Sequence, residues 1–541
     1  MPGWNFADIW EVVAQKLPDA QAQVQGDRRY TWSQLDRRAN GIARALLDAG
    51  VKEQDKVAQY LFNGPEYLES MFAAFKAGLA PINTNYRYLD DELFYLWDNG
   101  DVVAVVFHGT FADRIENIRD RLPLIKLWLW VDDGAGPCPP WATPYEPLAA
   151  AGGAEPVSGP WGRDGDHLLL LYTGGTTGMP KGVMWRQDDL IRNIVSSLIP
   201  GVREQDPDDD LTLIRESVTA PGMVGLPACP LMHGTGCFTQ LIVLSAGGSS
   251  VTLESRNLDI DELLTTIERE HVNTVAIVGD SFANPMIKAM ESTPGKYDIS
   301  SLILISSSGV MFSEAAKQGL LAQHPGMMIV DAFSSSEALG MGQSVSTAGG
   351  TSTTAKFTLG EHTKVITDDG RLVEPGSGET GRVAVGGFQP VGYYKDEAKT
   401  AATFITFEGK RYSVPGDYAT VEADGSLTLL GRGSVCINTG GEKVYPEEVE
   451  EVLKTFESVT DAVAVGIPDE KFGEAITAVV ELAPGEELDE GAVITHVKGK
   501  LAAYKAPKRV LAIDTIGRAP NGKVDYKRLK GWAADQLGVQ L

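Results

Sequence analysis

The stretch Leu171-Tyr-Thr-Gly-Gly-Thr-Thr-Gly-Met-Pro-Lys-Gly182 follows directly on the apolar run of residues 168 to 171. This order predicts a strand that leads into a glycine-rich loop. Gly174, Gly175 and Gly178 permit backbone conformations that side chains forbid, so successive N–H groups can converge on an anion. The loop therefore predicts a phosphate-binding site. A flexible surface turn is the alternative interpretation of so many glycines.

Four side chains add donors to the same loop. Thr173, Thr176 and Thr177 contribute hydroxyl groups, and Lys181 contributes a positive charge. The spacing differs from a Walker A motif, because Met179 and Pro180 separate the last loop glycine from the lysine. The sequence thus disfavours an ordinary P-loop kinase while it retains a nucleotide-phosphate site.

Length and composition limit the classes of function. A chain of 541 residues with 43% hydrophobic content is expected to fold into more than one globular domain. Its formal net charge of −26 would repel a polyanion over most of the surface, so we expect no nucleic-acid partner. Anionic nucleotides can still bind where local donors overcome that field.

No segment indicates secretion or membrane insertion. The N-terminus lacks a basic region and an apolar core, and no apolar run approaches the roughly 18 residues that span a bilayer. The cysteines at 138, 229, 237 and 436 show no Cys-x-x-Cys spacing, which argues against a disulfide framework or a zinc site. We therefore expect a protein of the reducing cytoplasm. A homodimer is a candidate assembly.

The first third of the chain alternates between predicted strands and helices. Residues 30 to 50 offer Thr31 or Ser33 as an N-cap, followed by apolar residues at helical spacing. Residues 57 to 61 and 102 to 107 predict strands, and such alternation is typical of a parallel α/β sheet. Residues 132 to 165 are rich in Gly, Pro and Ala, which predicts a surface connection.

Taken in order, several blocks resemble the adenylate-forming superfamily of acyl-CoA synthetases, peptide-synthetase adenylation domains and luciferases. The glycine-rich loop resembles its nucleotide-phosphate loop, with Gly174 where Ser is usual. The resemblance implies an α/β fold with a large N-terminal layered domain, residues 1–431, and a small mobile α+β C-terminal domain, residues 432–541. It also implies ATP, CoA and Mg²⁺ as cofactors.

One block supplies the metal and adenine residues of this resemblance. In Ile329-Val-Asp-Ala-Phe-Ser-Ser-Ser-Glu-Ala338 the family pattern assigns nucleotide contacts to Asp331, Phe333 and Ser336. Glu337 is a hard oxygen ligand that could hold Mg²⁺ against nucleotide phosphates. A solvated loop glutamate is the competing interpretation. Gly309 is the one glycine kept from the family's adenine-side pair.

Two further positions carry specific expectations. His233 corresponds to the residue at the mouth of the family's acyl pocket, although a histidine beside apolar residues is commonly structural. Asp417 corresponds to the family's ribose-binding aspartate, whose carboxylate can accept from both hydroxyls. A simple Asx turn is the alternative for Asp417. Arg432 lies at the family's domain junction.

The small domain is expected to bring the catalytic cation. Lys523, in Gly517-Arg-Ala-Pro-Asn-Gly-Lys523, corresponds to the family's catalytic lysine, although a lysine in such a turn is commonly solvated. Gly440 and Gly441 would form the face that admits the CoA thiol. Ser434 falls at the hinge position, and Asn438 replaces a lysine that is usual there. The replacement leaves the second half-reaction open.

The implied reaction joins a carboxylate to ATP, giving an acyl-adenylate and pyrophosphate, and then transfers the acyl group to CoA. The loop and junction sequences look most like actinobacterial ligases for fatty, steroid side-chain or terpenoid acids, so we expect a hydrophobic carboxylic acid as substrate. An enzyme that runs one half-reaction, or that uses a carrier protein, is one alternative. A nucleotide sensor with an inactive site is another, and the joint presence of Lys523, Glu337 and Asp417 disfavours it.

Overall fold

The computed structural model describes residues 3–173, 179–310, 312–350, 353–439, 442–469, 473–501, 503–519 and 522–541. The α-helices in these ranges are, in chain order, α1 Phe6–Lys16, α2 Trp32–Asp48, α3 Pro65–Lys76, α4 Asp90–Asn99, α5 Ala112–Ile118, α6 Tyr145–Ala150, α7 Gln187–Ile194, α8 Thr212–Ser217, α9 Gly234–Ser245, α10 Ile260–Arg269, α11 Asp280–Ser292, α12 Glu314–Gln323, α13 Glu397–Thr403, α14 Pro446–Lys454, α15 Glu490–Lys500 and α16 Tyr526–Leu537.

The strands of the same ranges are β1 Gln21–Gln25, β2 Arg28–Thr31, β3 Lys56–Tyr60, β4 Ala80–Asn83, β5 Val102–His108, β6 Leu127–Val131, β7 Thr143–Pro144, β8 Leu168–Thr173, β9 Lys181–Arg186, β10 Val224–Pro227, β11 Ser249–Val251, β12 Thr274–Ile277, β13 Leu304–Ser308, β14 Met328–Ser335, β15 Ala338–Ser346, β16 Lys356–Leu359, β17 Thr363–Ile366, β18 Thr380–Val385, β19 Gly392–Tyr393, β20 Phe404–Phe407, β21 Lys410–Ser413, β22 Asp417–Val421, β23 Leu427–Arg432, β24 Ile437–Thr439, β25 Glu442–Val444, β26 Val459–Asp469, β27 Gly473–Leu482 and β28 Arg509–Ala512.

Two large sheets build the N-terminal part of the chain. One has the order β2-β1-β11-β10-β12-β13-β14-β15-β16-β23-β22-β18-β21-β20, with β17 beside β18, and the other has the order β19-β9-β8-β4-β3-β5-β6-β7. The pairs from β11 to β14 are parallel, as the alternation of strands and helices predicts. From β14 onward this sheet continues antiparallel, which sequence periodicity does not indicate.

The predicted helix over residues 30 to 50 forms as α2 and begins as expected. Thr31 is the N-cap, and its side chain accepts from the backbone N–H of Gln34 in a capping box. The apolar face of α2 packs in the largest core, which joins it to α1, α3 and α9. Within that core the ring of Trp10 lies edge-on to Phe72, with centroids 5.2 Å apart.

A third sheet, in the order β25-β24-β27-β26 with β28 beside β27, forms the small C-terminal domain. Helices α14 and α15 pack on one face of it through residues such as Val449 and Val493. Helix α16 packs on the other face through Leu529 and Ala533. The domain is therefore α+β, as predicted.

The segment over residues 132 to 165 is more than the surface connection that its composition predicts, so that prediction is wrong in part. It carries α6, whose Tyr145 is buried, and α6 packs against α2. The approach is close enough that a Cβ added at Gly41 would lie 2.1 Å from the carbonyl oxygen of Leu148. Backbone contact of this kind requires a residue without a side chain.

We expect Gly41→Ala to lower the free energy of unfolding by about 1–3 kcal/mol, because the new methyl group would collide with backbone that cannot move cheaply. Gly531→Ala is the matched control, since Gly531 also lies inside a helix but no heavy atom lies within 4 Å of its added Cβ. There we expect a gain of about 0.5–1 kcal/mol from helix propensity. Calorimetry measures both. A Gly41→Ala protein as stable as the wild type would contradict the packing of α6 on α2.

Candidate active site

A cleft of about 2800 Å³ opens where the small domain meets the large one. The predicted site residues that line it come from distant parts of the chain and are Thr173, His233, Gly309, Asp331, Phe333, Ser336, Glu337, Asp417, Arg432 and Lys523. Gly174, Gly175, Thr176, Thr177, Gly178, Gly440 and Gly441 lie outside the described residues, as do the side chains of Ser434 and Asn438. Their predicted roles stay predictions.

The strand that precedes the glycine-rich loop forms as predicted. Thr173 ends β8 and pairs across to Lys181, the first residue of β9, so both ends of the loop are fixed in one antiparallel pair. Asn83 ties this strand to its neighbours, since its side-chain amide donates to the carbonyl oxygens of Tyr172 (2.9 Å) and Met232 (2.8 Å).

Lys181 is not brought into the cleft. Its ammonium group donates to the carboxylate of Asp396, the N-cap of α13, and it is not among the residues that line the cleft. The sequence predicts a charge for phosphate at this position, whereas the structure places that charge against a carboxylate. The difference arises because the partner lies 215 residues away in the chain.

His233 is half-buried at the N-terminus of α9, where it is the N-cap residue. Burial lowers the pKa of its imidazole to about 3, and the cations of Lys523 and Arg87 add to the effect. The ring is therefore neutral at physiological pH, so it can border a pocket or share a hydrogen bond but supplies no charge. On the opposite side Gly309, with φ of +96°, follows β13 and faces Thr235 of α9.

Glu337 lies in the two-residue turn of the hairpin between β14 and β15. The carbonyl oxygen of Ser336 accepts from the indole N–H of Trp185 at 2.9 Å, which fixes one side of the turn. The carboxylate Oε1 of Glu337 accepts from the hydroxyl of Tyr393 at 2.8 Å. The turn thus projects a half-buried carboxylate from a rigid base into the cleft.

The contacts of Asp331 and Phe333 indicate a more structural role for these residues than the resemblance implies. The carboxylate of Asp331 lies 3.2 Å from the ammonium of Lys317, and both side chains are almost fully buried. Burial raises the pKa of Asp331 to about 6, and Lys317 opposes that rise. The ring of Phe333 packs on Phe357 with centroids 5.4 Å apart. Both residues reach the cleft wall, so nucleotide contacts for them stay predictions.

Asp417 begins β22 and is buried beside Arg432 of β23, its partner across the pair. The Nε of Arg432 donates to Oδ1 of Asp417 at 3.3 Å, whereas the buried Oδ2 has no hydrogen-bond partner among the residues that the structure describes. Burial raises the pKa of Asp417 and the Arg432 cation opposes the rise. A buried carboxylate oxygen without a donor is costly. Hydroxyl groups of a ligand, such as those of a ribose, would satisfy it.

Lys523 enters the cleft on a tight turn of the small domain. The backbone N–H of Ala519 donates to the Lys523 carbonyl oxygen at 2.9 Å, and that of Gly522 donates to the Ala519 carbonyl oxygen at 2.8 Å. A Cβ at Gly522 would lie 3.1 Å from both Val278 and Val310, so the turn rests directly on the large domain.

The charges around Lys523 form a compact group. Its side chain is exposed to the cleft, yet protein atoms crowd it enough that partial desolvation lowers its pKa. The Arg432 cation lowers that pKa further, while the carboxylates of Glu337 and Asp417 raise it. The structure thus brings together two carboxylates, of Glu337 and Asp417, and two cations, of Arg432 and Lys523, from distant parts of the sequence.

The residues fit a magnesium ion held with a nucleotide. Among the described residues no group of three His, Cys, Asp or Glu side chains could hold a metal by itself. Glu337 would therefore be a single carboxylate ligand, which is how Mg²⁺ is commonly held when phosphates supply the other oxygens.

Sequence reasoning missed two residues that line the cleft and one that contacts a lining residue. Arg87 lies near enough to His233 for its charge to affect the imidazole. Tyr393 lies behind the cleft wall and contacts Glu337. Glu447 of α14 is half-buried against the junction strand β23, where a Cβ at Gly431 would lie 2.0 Å from its Oε2. Gly431 has φ of +117°, a conformation that favours glycine, so glycine at this junction was the one available signal.

The chain matches the AMP-binding enzyme family over residues 10–394 and the AMP-binding enzyme C-terminal domain over residues 448–523. A 3-oxocholest-4-en-26-oate–CoA ligase of Rhodococcus rhodochrous is 41% identical over 99% of this chain and 96% of that protein. A medium/long-chain-fatty-acid–CoA/3-oxocholest-4-en-26-oate–CoA ligase of Mycolicibacterium smegmatis is 40% identical over 98% of this chain and 96% of that protein.

Solved structures agree in fold. The anthranilate CoA ligase AuaEII in complex with anthranoyl-AMP superposes with a TM-score of 0.84 at 21% identity, covering 100% of this chain and 99% of that one. ATP-bound MatB from Rhodopseudomonas palustris superposes with a TM-score of 0.81 at 23% identity, covering 98% and 100%. These likenesses confirm the predicted fold class of a large α/β domain with a small C-terminal domain.

We expect closure of the two domains to weaken as pH rises from about 5 to about 8. Burial raises the pKa of Glu447, and the charges of Glu450 and Asp417 raise it further. When the domains part, Glu447 would return towards the ordinary value of about 4.3, so closing above that pH requires uptake of a proton. Energy transfer between dyes on the two domains measures closure across this range.

Glu447→Gln should flatten most of that pH dependence. Glu448→Gln is the matched control, because the neighbouring carboxylate binds Lys505 within the small domain at 2.5 Å. A Glu447→Gln protein that keeps the wild-type slope would assign the pH dependence to another group.

Proposed function

Because the chain belongs to the AMP-binding enzyme family, we propose that it is an ATP-dependent acyl-CoA ligase that activates a large hydrophobic carboxylic acid. The reaction forms an acyl-adenylate and pyrophosphate, and CoA then takes the acyl group and releases AMP. The named activities of the relatives support this assignment, since they extend over nearly the whole of this chain.

One observation carries the proposal. The turn that bears Lys523 rests on Val278 and Val310 of the large domain, and it thereby places a cation in the same cleft as Glu337 and Asp417. A nucleotide sensor would need the carboxylates but has no need of a cation delivered by a second domain. The arrangement therefore favours catalysis over binding alone.

The roles of the residues follow from their positions. Negative charge builds on the α-phosphate as the acid's carboxylate attacks it and pyrophosphate leaves, and Lys523 is placed to stabilise that charge. Asp417 would accept the ribose hydroxyls through its unpartnered oxygen. A Mg²⁺ ion at Glu337, when bound, would neutralise phosphate charge. No side-chain nucleophile is required.

The length of the pocket supports a large acid. Helix α9 lines the cleft with Thr235, Phe238, Thr239 and Ile242, which recur at helical spacing along one face. From residue 234 to residue 242 a helix rises about 12 Å, so the pocket follows α9 for at least that distance beyond His233. Phe238 and Ile242 give this face an apolar surface. A long aliphatic or fused-ring acid would bury its surface there.

The test is ATP–pyrophosphate exchange across a panel of acids, repeated as CoA-thioester formation. The panel contains a 3-oxo steroid side-chain acid, medium- and long-chain fatty acids, and indoleacetate as a small aromatic control. We expect both activities with the steroid or fatty acids. Exchange without thioester would favour the half-reaction or carrier-protein alternative, and neither activity with any acid would overturn the proposal in favour of a sensor.

We expect Lys523→Ala to lower the rate of adenylation by about 10²–10³, because one preorganised donor to the transition state is lost. Conversion of a supplied acyl-adenylate by CoA should survive. Lys498→Ala is the charge-matched control, since Lys498 is exposed on the small domain away from the cleft. Equal loss of both half-reactions with the fold intact would contradict the assignment of Lys523 to the first step.

We expect Ile242→Trp to shorten the pocket. The larger ring would occupy the space two turns along α9 from His233, so thioester formation from steroid acids should fall at least about tenfold while hexanoate turnover is kept. Hexanoate turnover also reports that the variant folds. If Ile242→Trp changed the rate of thioester formation equally for acids of every length, the acyl chain would not run along α9.

Location and assembly are lesser parts of the proposal. No disulfide joins the four cysteines, all of which lie in the described ranges, and since this suits a reducing compartment we assign the enzyme to the cytoplasm. In the described ranges no helix is both long and apolar enough to cross a bilayer. A homodimer is the assembly that light scattering of the purified protein would test.

A further inference from the structure

Tyr393 connects strand β9 to the hairpin that carries Glu337. It lies in β19, which pairs with β9 opposite Val183, two residues after the glycine-rich loop ends. Its neighbour Tyr394 donates its backbone N–H to the carbonyl oxygen of Gly182 at 2.8 Å. The hydroxyl of Tyr393 meanwhile donates to Oε1 of Glu337, on the hairpin of the other sheet. The side chain of Tyr393 thus joins strand β9 to the carboxylate of Glu337.

The side chain of Tyr393 is held in a fixed position by its surroundings. The side chain is 5% exposed, its ring lies edge-on to Phe404 with centroids 6.0 Å apart, and its backbone N–H donates to the hydroxyl of Thr400 at 2.9 Å. Since the ring cannot shift without disturbing these contacts, its hydroxyl is a fixed donor. A fixed donor restricts a carboxylate that otherwise rotates freely.

We propose that Tyr393 is a positioning residue, which holds the Glu337 carboxylate at a fixed distance from strand β9 so that it can bind the Mg²⁺ of a metal–nucleotide complex. The inference rests on the proposed function, because it assigns Glu337 to Mg²⁺. Tyr393 occupies one carboxylate oxygen and leaves the remaining lone pairs of Glu337 for a cation. It acts through Glu337 and does not touch the reacting atoms. Partners of this kind outside the ligand shell typically affect metal affinity about 10–100-fold.

Tyr393→Phe is the direct test, because it removes the hydroxyl and keeps the ring that packs on Phe404. We expect the Mg²⁺ concentration for half-maximal pyrophosphate exchange to rise about tenfold or more, while the rate at saturating Mg²⁺ stays within about threefold of the wild type. Tyr394→Phe is the matched control. It removes a hydroxyl from the adjacent residue, whose partner is Asp101 at 2.7 Å and lies away from the cleft.

A second readout does not depend on turnover. Binding of Mn²⁺ and ATP to the intact enzyme, followed by electron paramagnetic resonance, should weaken in Tyr393→Phe and not in Tyr394→Phe. In a Glu337→Gln background the Tyr393→Phe substitution should add little, because the group it positions is already changed. A full additive loss in the double variant would overturn the inference.

Two other results would also overturn it. One is a Tyr393→Phe enzyme whose Mg²⁺ titration and Mn²⁺ binding match the wild type. The other is a loss of rate that no Mg²⁺ concentration restores, together with a lowered melting temperature, since that pattern belongs to a structural role. If the wild type gives no exchange with any acid, the proposed function fails. The Mn²⁺–ATP binding comparison then still decides the role of Tyr393.

Discussion

The contact of the Gly522 turn with Val278 and Val310 is the constraint on which the rest of the site depends. Here the small domain touches the wall of the large one beside the cleft, and this contact sets how far Lys523 reaches. A residue with a Cβ at 522 would press on two valine side chains, and φ of +70° disfavours it independently. A close backbone approach thus places the Lys523 cation at the cleft, and Arg518 supports the turn by donating to the Gly522 carbonyl oxygen at 3.2 Å.

Four charges at the centre of the cleft offset one another. Arg432 and Lys523 face Asp417 and Glu337, so this group has no excess of either sign although the whole chain is strongly acidic. The field of the surface would repel ATP, whereas the two cations in the cleft favour its phosphates locally. The acidic surface and the anionic substrate are therefore compatible, and the balance depends on the closed arrangement of the two domains.

Parting of the domains would change several of these interactions together. Glu447 lies half-buried against Gly431 and the Lys523 turn rests on the large domain, so rotation about the junction would expose Glu447 further and withdraw the turn. The bond between Asp417 and Arg432 lies within one strand pair and would stay. A two-step reaction needs such a division, because the lysine must leave before a thiol can approach the same carbonyl.

The sequence by itself determined the α/β class, an N-cap for α2 at Thr31 or Ser33, the strand before the glycine-rich loop and the identity of Glu337, Asp417 and Lys523 as candidates. These depend on periodicity, turn chemistry and ordered motifs, which are local properties of the chain. Only the tertiary structure decided which charges meet. Lys181 is bound to Asp396, Asp331 to Lys317 and Glu337 to Tyr393, each across a gap in the chain that no local pattern encodes. Electrostatics and packing act through space, so partners at long sequence separation become visible once the sheets and the small domain are in place.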